Sequence, residues 1–155
     1  MEISKPAPEL KKLDYFAGTW ILEGEMKPGP MGPGGKLIET DRNEWMAGGF
    51  FLVVHSEFAI ADMGNAIGFA YMGYDPVEKI YTYDEFNSMG DAIHSRGTVD
   101  RDTWTWSGQR KTDNGITKTR WIVKTLTPTS YNFRFETSQD GANWNTVMEG
   151  KASKH

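Results

Sequence analysis

Any chemistry in this chain must come from carboxyls, hydroxyls and three imidazoles, because it contains no cysteine. That absence removes disulfides, thiolate nucleophiles and zinc–thiolate centres together, and it fits a reducing compartment. The imidazoles are His55, His94 and His155. No two of them have a spacing that would place them on one strand or helix face, so no metal site is expected. There is no Gly-x-Ser-x-Gly, and Ser, His and Asp fall in no triad order, so no catalytic residue is assigned. Between Gly29 and Gly35 the glycines alternate with prolines, which lack the amides that a phosphate cradle needs. What remains is acid–base work by Tyr71, Tyr83, Glu57 and Asp84. A carboxyl kept among rings holds its proton more tightly than in water and can act as acid or base.

The elements that would position such groups are strands. Six Trp, six Tyr and eight Phe put much of the apolar area into large flat side chains, a composition that favours sheet. With 155 residues one core is the default. The expectation is a single β-barrel domain over 1–155, with an N-terminal segment and plug over 1–18 and a Pro/Gly-rich loop over 28–35. In the first segment Leu10, Leu13 and Phe16 recur three apart and share one face of a short helical turn that Gly18 ends. From Thr19 onward strands alternate with turn signals. The ten expected strands are about 19–26, 36–45, 50–60, 66–74, 80–87, 92–100, 103–109, 116–126, 130–138 and 143–152. Asp75-Pro76, Asn114-Gly115 and Asp140-Gly141 mark turns, and the connections leave no room for crossover helices. The fold class is therefore all-β: an antiparallel up-and-down meander that avoids open edges by closing on itself. The loop at 28–35 is read as a long hairpin connection, with a ligand-gating lid as the alternative.

Period-two alternation then assigns an inside. The large residues share parity in Ile67, Phe69 and Tyr71; in Trp104 and Trp106; in Trp121 and Val123; in Tyr131, Phe133 and Phe135; and in Trp144, Thr146 and Met148. Two strands, 50–60 and 80–87, can be read with either parity. The candidate pocket comprises Tyr71, Tyr83, Trp106, Trp121, Phe133, Phe135, His55 and Glu57, and the inward choice between His55 and His94 stays open.

The run Leu13-Asp14-Tyr15-Phe16-Ala17-Gly18-Thr19-Trp20, a helical turn followed by Gly-x-Trp opening the first strand, resembles the signature shared by lipocalins, fatty-acid-binding proteins and haem-binding nitrobindins. The resemblance implies a calycin-like barrel whose closed end is plugged by the helix, with Gly18 and Trp20 as structural signature residues. More fully, Asn43-Glu44-Trp45-Met46-Ala47-Gly48-Gly49, Met72-Gly73-Tyr74-Asp75-Pro76, Phe86-Asn87-Ser88-Met89-Gly90 and Trp144-Asn145-Thr146-Val147-Met148-Glu149-Gly150 look like a bacterial family, the domain of unknown function family 1579. The likeness covers nearly the whole chain. The nitrobindin resemblance would also imply a late axial histidine for haem. The late position here holds only His155, so haem is not the expected cofactor, although His55 or His94 could still serve.

Formal charge is −4, from 21 acidic against 17 basic residues, and the basic residues are scattered. Nucleic acid and anionic membrane are therefore not expected partners. No stretch approaches the about 20 apolar residues of a membrane span. The start lacks a signal peptide's basic end and apolar run, so the expected compartment is cytoplasmic, or periplasmic if an upstream signal was removed. The expected function is binding of a small apolar or aromatic molecule inside the barrel. Two alternatives stay open: a filled barrel acting through its surface or as a homodimer, and a small enzyme using interior Tyr, Glu and Asp.

Overall fold

The plug forms because its apolar residues recur every third position, the period of a 3-10 helix rather than an α-helix. Pro8–Phe16 is one such helix, with Leu10, Leu13 and Phe16 all buried and Pro8 opening it where no amide is required. The computed structural model of the chain describes residues 4–30 and 32–155. Ten strands follow the plug: β1 (Gly18–Met26), β2 (Gly35–Trp45), β3 (Leu52–Ile60), β4 (Asn65–Asp75), β5 (Ile80–Asn87), β6 (Ala92–Asp100), β7 (Thr103–Thr112), β8 (Gly115–Thr127), β9 (Ser130–Ser138) and β10 (Asn145–Lys154). Each pairs antiparallel with its chain neighbour, and β1 pairs with β10, so the sheet closes on itself. Among the described residues no strand is left with an unpaired edge. A short 3-10 turn at Ala61–Met63 lies between β3 and β4. No helix among the described residues is long and apolar enough to cross a membrane.

The expected strands are present, mostly with ends moved by one to three residues. The turn chemistry explains several boundaries. Asp75 Oδ1 accepts the amides of Val77 and Glu78 at 2.9 and 3.1 Å, which shapes the β4–β5 turn. Between β7 and β8, Thr112 pairs with Gly115 across Asp113-Asn114, and Gly115 has φ 111°, a conformation that favours glycine. In the 28–35 loop the Gly29 and Gly32 backbones bond each other at 2.9 and 3.0 Å. Met31 of that loop lies outside the described residues.

One end of the barrel is sealed by the plug. Phe16 packs edge-on against Trp104 and Tyr131, with ring centroids at 5.4 and 5.9 Å. Its carbonyl oxygen accepts from Trp20 Nε1 at 3.0 Å and from Asn43 Nδ2 at 2.8 Å. The Tyr81 hydroxyl donates to the Glu9 carbonyl, and Trp45 Nε1 donates to Asp14, each at 2.8 Å. These bonds tie the plug to β1, β2 and β5, and Trp20 beneath it is fully buried. The opposite end is the mouth, reached by the β1–β2, β3–β4, β5–β6, β7–β8 and β9–β10 connections.

Deleting the Trp20 indole removes this packing and leaves a void that neighbours on a closed sheet cannot collapse to fill. Trp20→Ala should cost about 3–5 kcal/mol of unfolding free energy in urea titrations. An unchanged midpoint would contradict the plug's role.

Candidate binding site in the barrel interior

Strand register fixes which side chains face in. Leu52, Val54, Ser56, Phe58 and Ile60 form the inward set of β3, with Leu52, Val54, Ser56 and Ile60 buried. On β4 the inward set contains Gly68, Ala70 and Met72, all buried. The larger β4 residues therefore face out, with Ile67 52% and Phe69 42% exposed. This corrects the inward parity expected for Ile67, Phe69 and Tyr71, which followed size alone. His55, Glu57 and Tyr71 of the candidate pocket accordingly lie on the outer face. His55 packs edge-on to Phe69 at 4.8 Å, Glu57 pairs with Arg42 at 3.5 Å, and Tyr71 stands between Val53 and Asp84. His94 is exposed as well, with Nδ1 2.7 Å from Asp84 Oδ1. The acid–base set of Tyr71, Tyr83, Glu57 and Asp84 is thus not assembled, since only Tyr83 faces in.

Tyr83, Trp106, Trp121, Phe133 and Phe135 do come together inside. Trp121 stacks on Phe133 with centroids 5.2 Å apart and planes at 7°, and Phe135 lies 5.9 Å from Trp121. Trp106 stacks on Trp104 at 5.7 Å and meets Tyr83 at 5.6 Å. Gly97, opposite Trp106 on β6, makes room for the indole: an added Cβ would fall 2.4 Å from its ring. Trp104, Trp106, Trp121, Phe133 and Phe135 make an aromatic wall on β7, β8 and β9. The irregularity between Thr146 and Met148 breaks the parity expected for Trp144, Thr146 and Met148. Met148 pairs with inward Phe135, while Trp144 lies outside under the Arg120 guanidinium, 3.9 Å from its ring centroid.

The facing wall is acidic, and the sequence reading missed it. Glu39, Asp41 and Asn43 project inward from β2, and Glu85 from β5. Asp41 Oδ1 accepts from Ser56 Oγ at 2.7 Å, and Tyr83 donates to Glu85 Oε1 at 3.2 Å. Burial raises the pKa of Glu39 well above the carboxylate range, and the adjacent Asp41 and Glu85 raise it further. Burial also raises Asp41 and Glu85, although hydrogen bonds, from Glu39 and Ser56 to Asp41 and from Tyr83 and Asn87 to Glu85, pull back on each. Tyr83 is pushed well above the phenol range by burial and by the charges of Glu85, Asp41 and Glu39. A signal for these residues existed: Leu37, Glu39, Asp41, Asn43 and Trp45 share one parity, bracketed by two large apolar side chains.

The two halves of the interior differ in filling. Toward the plug, Trp20, Trp104, Tyr131 and Phe133 are buried. Toward the mouth, Met26, Leu37 and Ile60 at the ends of β1 to β3 are also buried, whereas inward Glu39, Phe58, Tyr83, Glu85, Trp121, Phe135 and Met148 keep partial exposure. Among the described residues, no group of three or more His, Asp or Glu is arranged to hold a metal ion.

Residues 5–154 match the model of a family described as protein of unknown function, DUF1579. The chain belongs to this family. Among solved structures it is similar to the crystal structure of Rv2717c from M. tuberculosis, with TM-score 0.68 and 14% identity over 97% of this chain and 99% of that one. It also resembles a de novo designed fluorescence-activating β-barrel, with TM-score 0.51 and 13% identity over 92% of this chain and 95% of the other. A third neighbour is EF1p2_mFAP2b bound to DFHBI, with TM-score 0.51 and 10% identity over 94% and 98% of the two chains. At these identities the likeness shows the fold of this family member. No match is found among the curated proteins.

Because Glu39, Asp41 and Glu85 hold protons more tightly folded than unfolded, their linkage has a definite sign. The folded state binds more protons between the ordinary carboxylate range and the raised values, so their contribution to stability falls as pH rises through that window. Glu136 on the outer face acts oppositely. Burial would raise its pKa, but bonds to Arg120 and Arg134 outweigh this and lower it, so its contribution is lost as pH falls. Glu39→Gln should therefore raise the melting temperature of the ligand-free protein by a few degrees at neutral pH. The gain should vanish near the unfolded carboxylate pKa of about 4. Thermal unfolding across pH checks this, and a constant difference would contradict the assignment.

Proposed function

We propose that the barrel binds a small molecule in the mouth half of its interior, between the aromatic wall of β7 to β9 and the polar wall of β2 and β5. The observation that carries this reading is the partial exposure of inward Tyr83, Trp121 and Phe135, alongside Glu39 and Glu85. A core built only for stability would close over such rings and carboxyls, because enclosed polar groups without full partners are costly. Aromatic side chains with a few convergent polar groups are the usual lining of ligand pockets. Two barrels of similar architecture are described as fluorescence-activating and as bound to DFHBI, which supports the reading by analogy of fold.

The neutral fluorophore Nile red should bind saturably at one site per chain. Trp121→Ala should weaken it about tenfold, the equivalent of about 1.4 kcal/mol. Native mass spectrometry of gently purified protein should show an added mass that denaturation releases. A bare chain together with non-saturable dye binding, or saturable binding indifferent to Trp121→Ala, would overturn the interior site.

A second reading, self-association, has its own observation on the outer face. Phe69 and Phe86 stand opposite each other across β4 and β5, 42% and 49% exposed, beside Ile67 at 52%. Such a cluster is the kind of patch through which copies associate. Sedimentation should then depend on concentration, and Phe69→Ser should restore a single slow species. A monomer at all concentrations would exclude this reading.

A further inference from the structure

We infer that the outer face of β3 to β6 binds a second copy of this chain about a two-fold axis running along β4, with Phe86 of each copy seated in a hollow beside His55 of the other. This rests on the self-association reading above and names the partner and the contact.

Closure of the barrel limits the kind of contact open to it. Among the described residues every strand is paired on both sides, so a partner cannot add a strand and must meet side chains. On this face the register lines up one row across four strands: Arg42 on β2, His55 on β3, Phe69 on β4 and Phe86 on β5. To one side of β4 lies a hollow of about 290 Å³, bordered by Arg42, Glu44, His55, Glu57, Ile67 and Phe69. To the other side stands Phe86, half-exposed, with its ring 6.1 Å from that of His94. Hollow and ring thus flank β4 at the same level, on the strands to either side of it.

A two-fold axis along β4 exchanges the strands on its two sides and keeps each row in place. In the pair, β3 of one copy meets β5 of the other, and β2 meets β6. Phe86 of the second copy then falls on His55, whose ring already lies edge-on to Phe69 at 4.8 Å. Aromatic anchors set in a hollow are what interface cores are built from. The charges agree with the same operation. The next row carries Glu44 on β2, Asp84 on β5 and His94 on β6. Glu44 takes part in none of the ion pairs among the described residues, and the operation sets it opposite the second copy's His94. It also brings the second copy's Asp84 diagonally beside Arg42. Carboxylate faces imidazole and guanidinium faces carboxylate, and symmetry repeats both pairs at the other edge, which fixes the register of the two copies. A partner of another kind would have to supply ring, hollow and charges in this order, whereas a second copy carries all of them.

The test is sedimentation of the full chain over a range of concentrations. Wild type should form a dimer. Phe86→Ala, which removes the inserted ring, and His55→Trp, which fills the hollow, should each weaken it about tenfold or more. Both positions are exposed in the single chain, so neither change disturbs the core. Mixed in equal amounts, the two variants should regain an affinity within about threefold of wild type, because the mixed pair keeps one native contact and sets Trp against Ala at the other. Glu44→Lys should weaken the dimer as well, while Ile116→Ala, at an exposed position of β8, should leave it unchanged. A wild-type dimer indifferent to Phe86→Ala, His55→Trp or Glu44→Lys, one lost in Ile116→Ala, or two weakened variants that fail to complement each other overturns the two-fold arrangement and leaves self-association standing. A wild type that is monomeric at every concentration overturns both.

Discussion

The Phe16 carbonyl oxygen, accepting from Trp20 and Asn43 at once, is the contact on which the rest of the arrangement depends. It joins the last turn of the plug to the first two strands and thereby sets which side of each faces in. Side chains alternate with a period of two, so a slip by one residue in β1 or β2 would turn Glu39 and Asp41 out and Ile38 and Thr40 in. Every later strand takes its register from its neighbour, and β10 returns to β1 with Lys154 opposite Trp20. The acidic wall exists because this one junction holds.

Closure around a plug also explains why the interior divides into two chemistries. Rings from the plug, β1, β7 and β9 fill the sealed end, where Trp20, Trp104 and Tyr131 bury large apolar areas. Much of the gain from burial is concentrated there. The mouth half is then free to hold groups that lower stability, a stacked Trp121 left partly open and carboxyls whose proton affinity is raised by their surroundings. Polar groups in an otherwise well-packed barrel cost stability unless they find partners.

Much of this architecture was legible in residue order. The plug, the ten strands, the turn at Asp75-Pro76 and the inward rings of β7 to β9 follow from spacing and turn chemistry. The polar side of the site was not, and the reason is physical. Size alone does not decide inwardness, and on β4 the small residues Gly68 and Ala70, with Met72, take the inward parity. Ile67, Phe69 and Tyr71 were displaced outward, taking His55 and Glu57 of β3 with them. An inward carboxyl looks like a solvent-facing one unless its parity is read from apolar neighbours two and four residues away, as Leu37 and Trp45 allow for β2. The Thr146/Met148 bulge defeats even that rule, because one inserted residue separates Trp144 from Met148.

The pairing of the first strand with the last bears on how the molecule comes into being. The His155 amide donates to the Thr19 carbonyl at 2.8 Å, so the residue after β10 helps complete the hydrogen-bonded ring that β1 begins. A chain emerging during synthesis can build its hairpins in order, but β1 keeps one bare edge until β10 arrives. Contacts of such wide sequence separation form slowly, since loop-closure entropy must be met before they contribute. An open, ring-rich sheet with an unpaired edge is also a template for joining other chains. The same closure that leaves the finished barrel without an edge makes its nascent form dependent on β10.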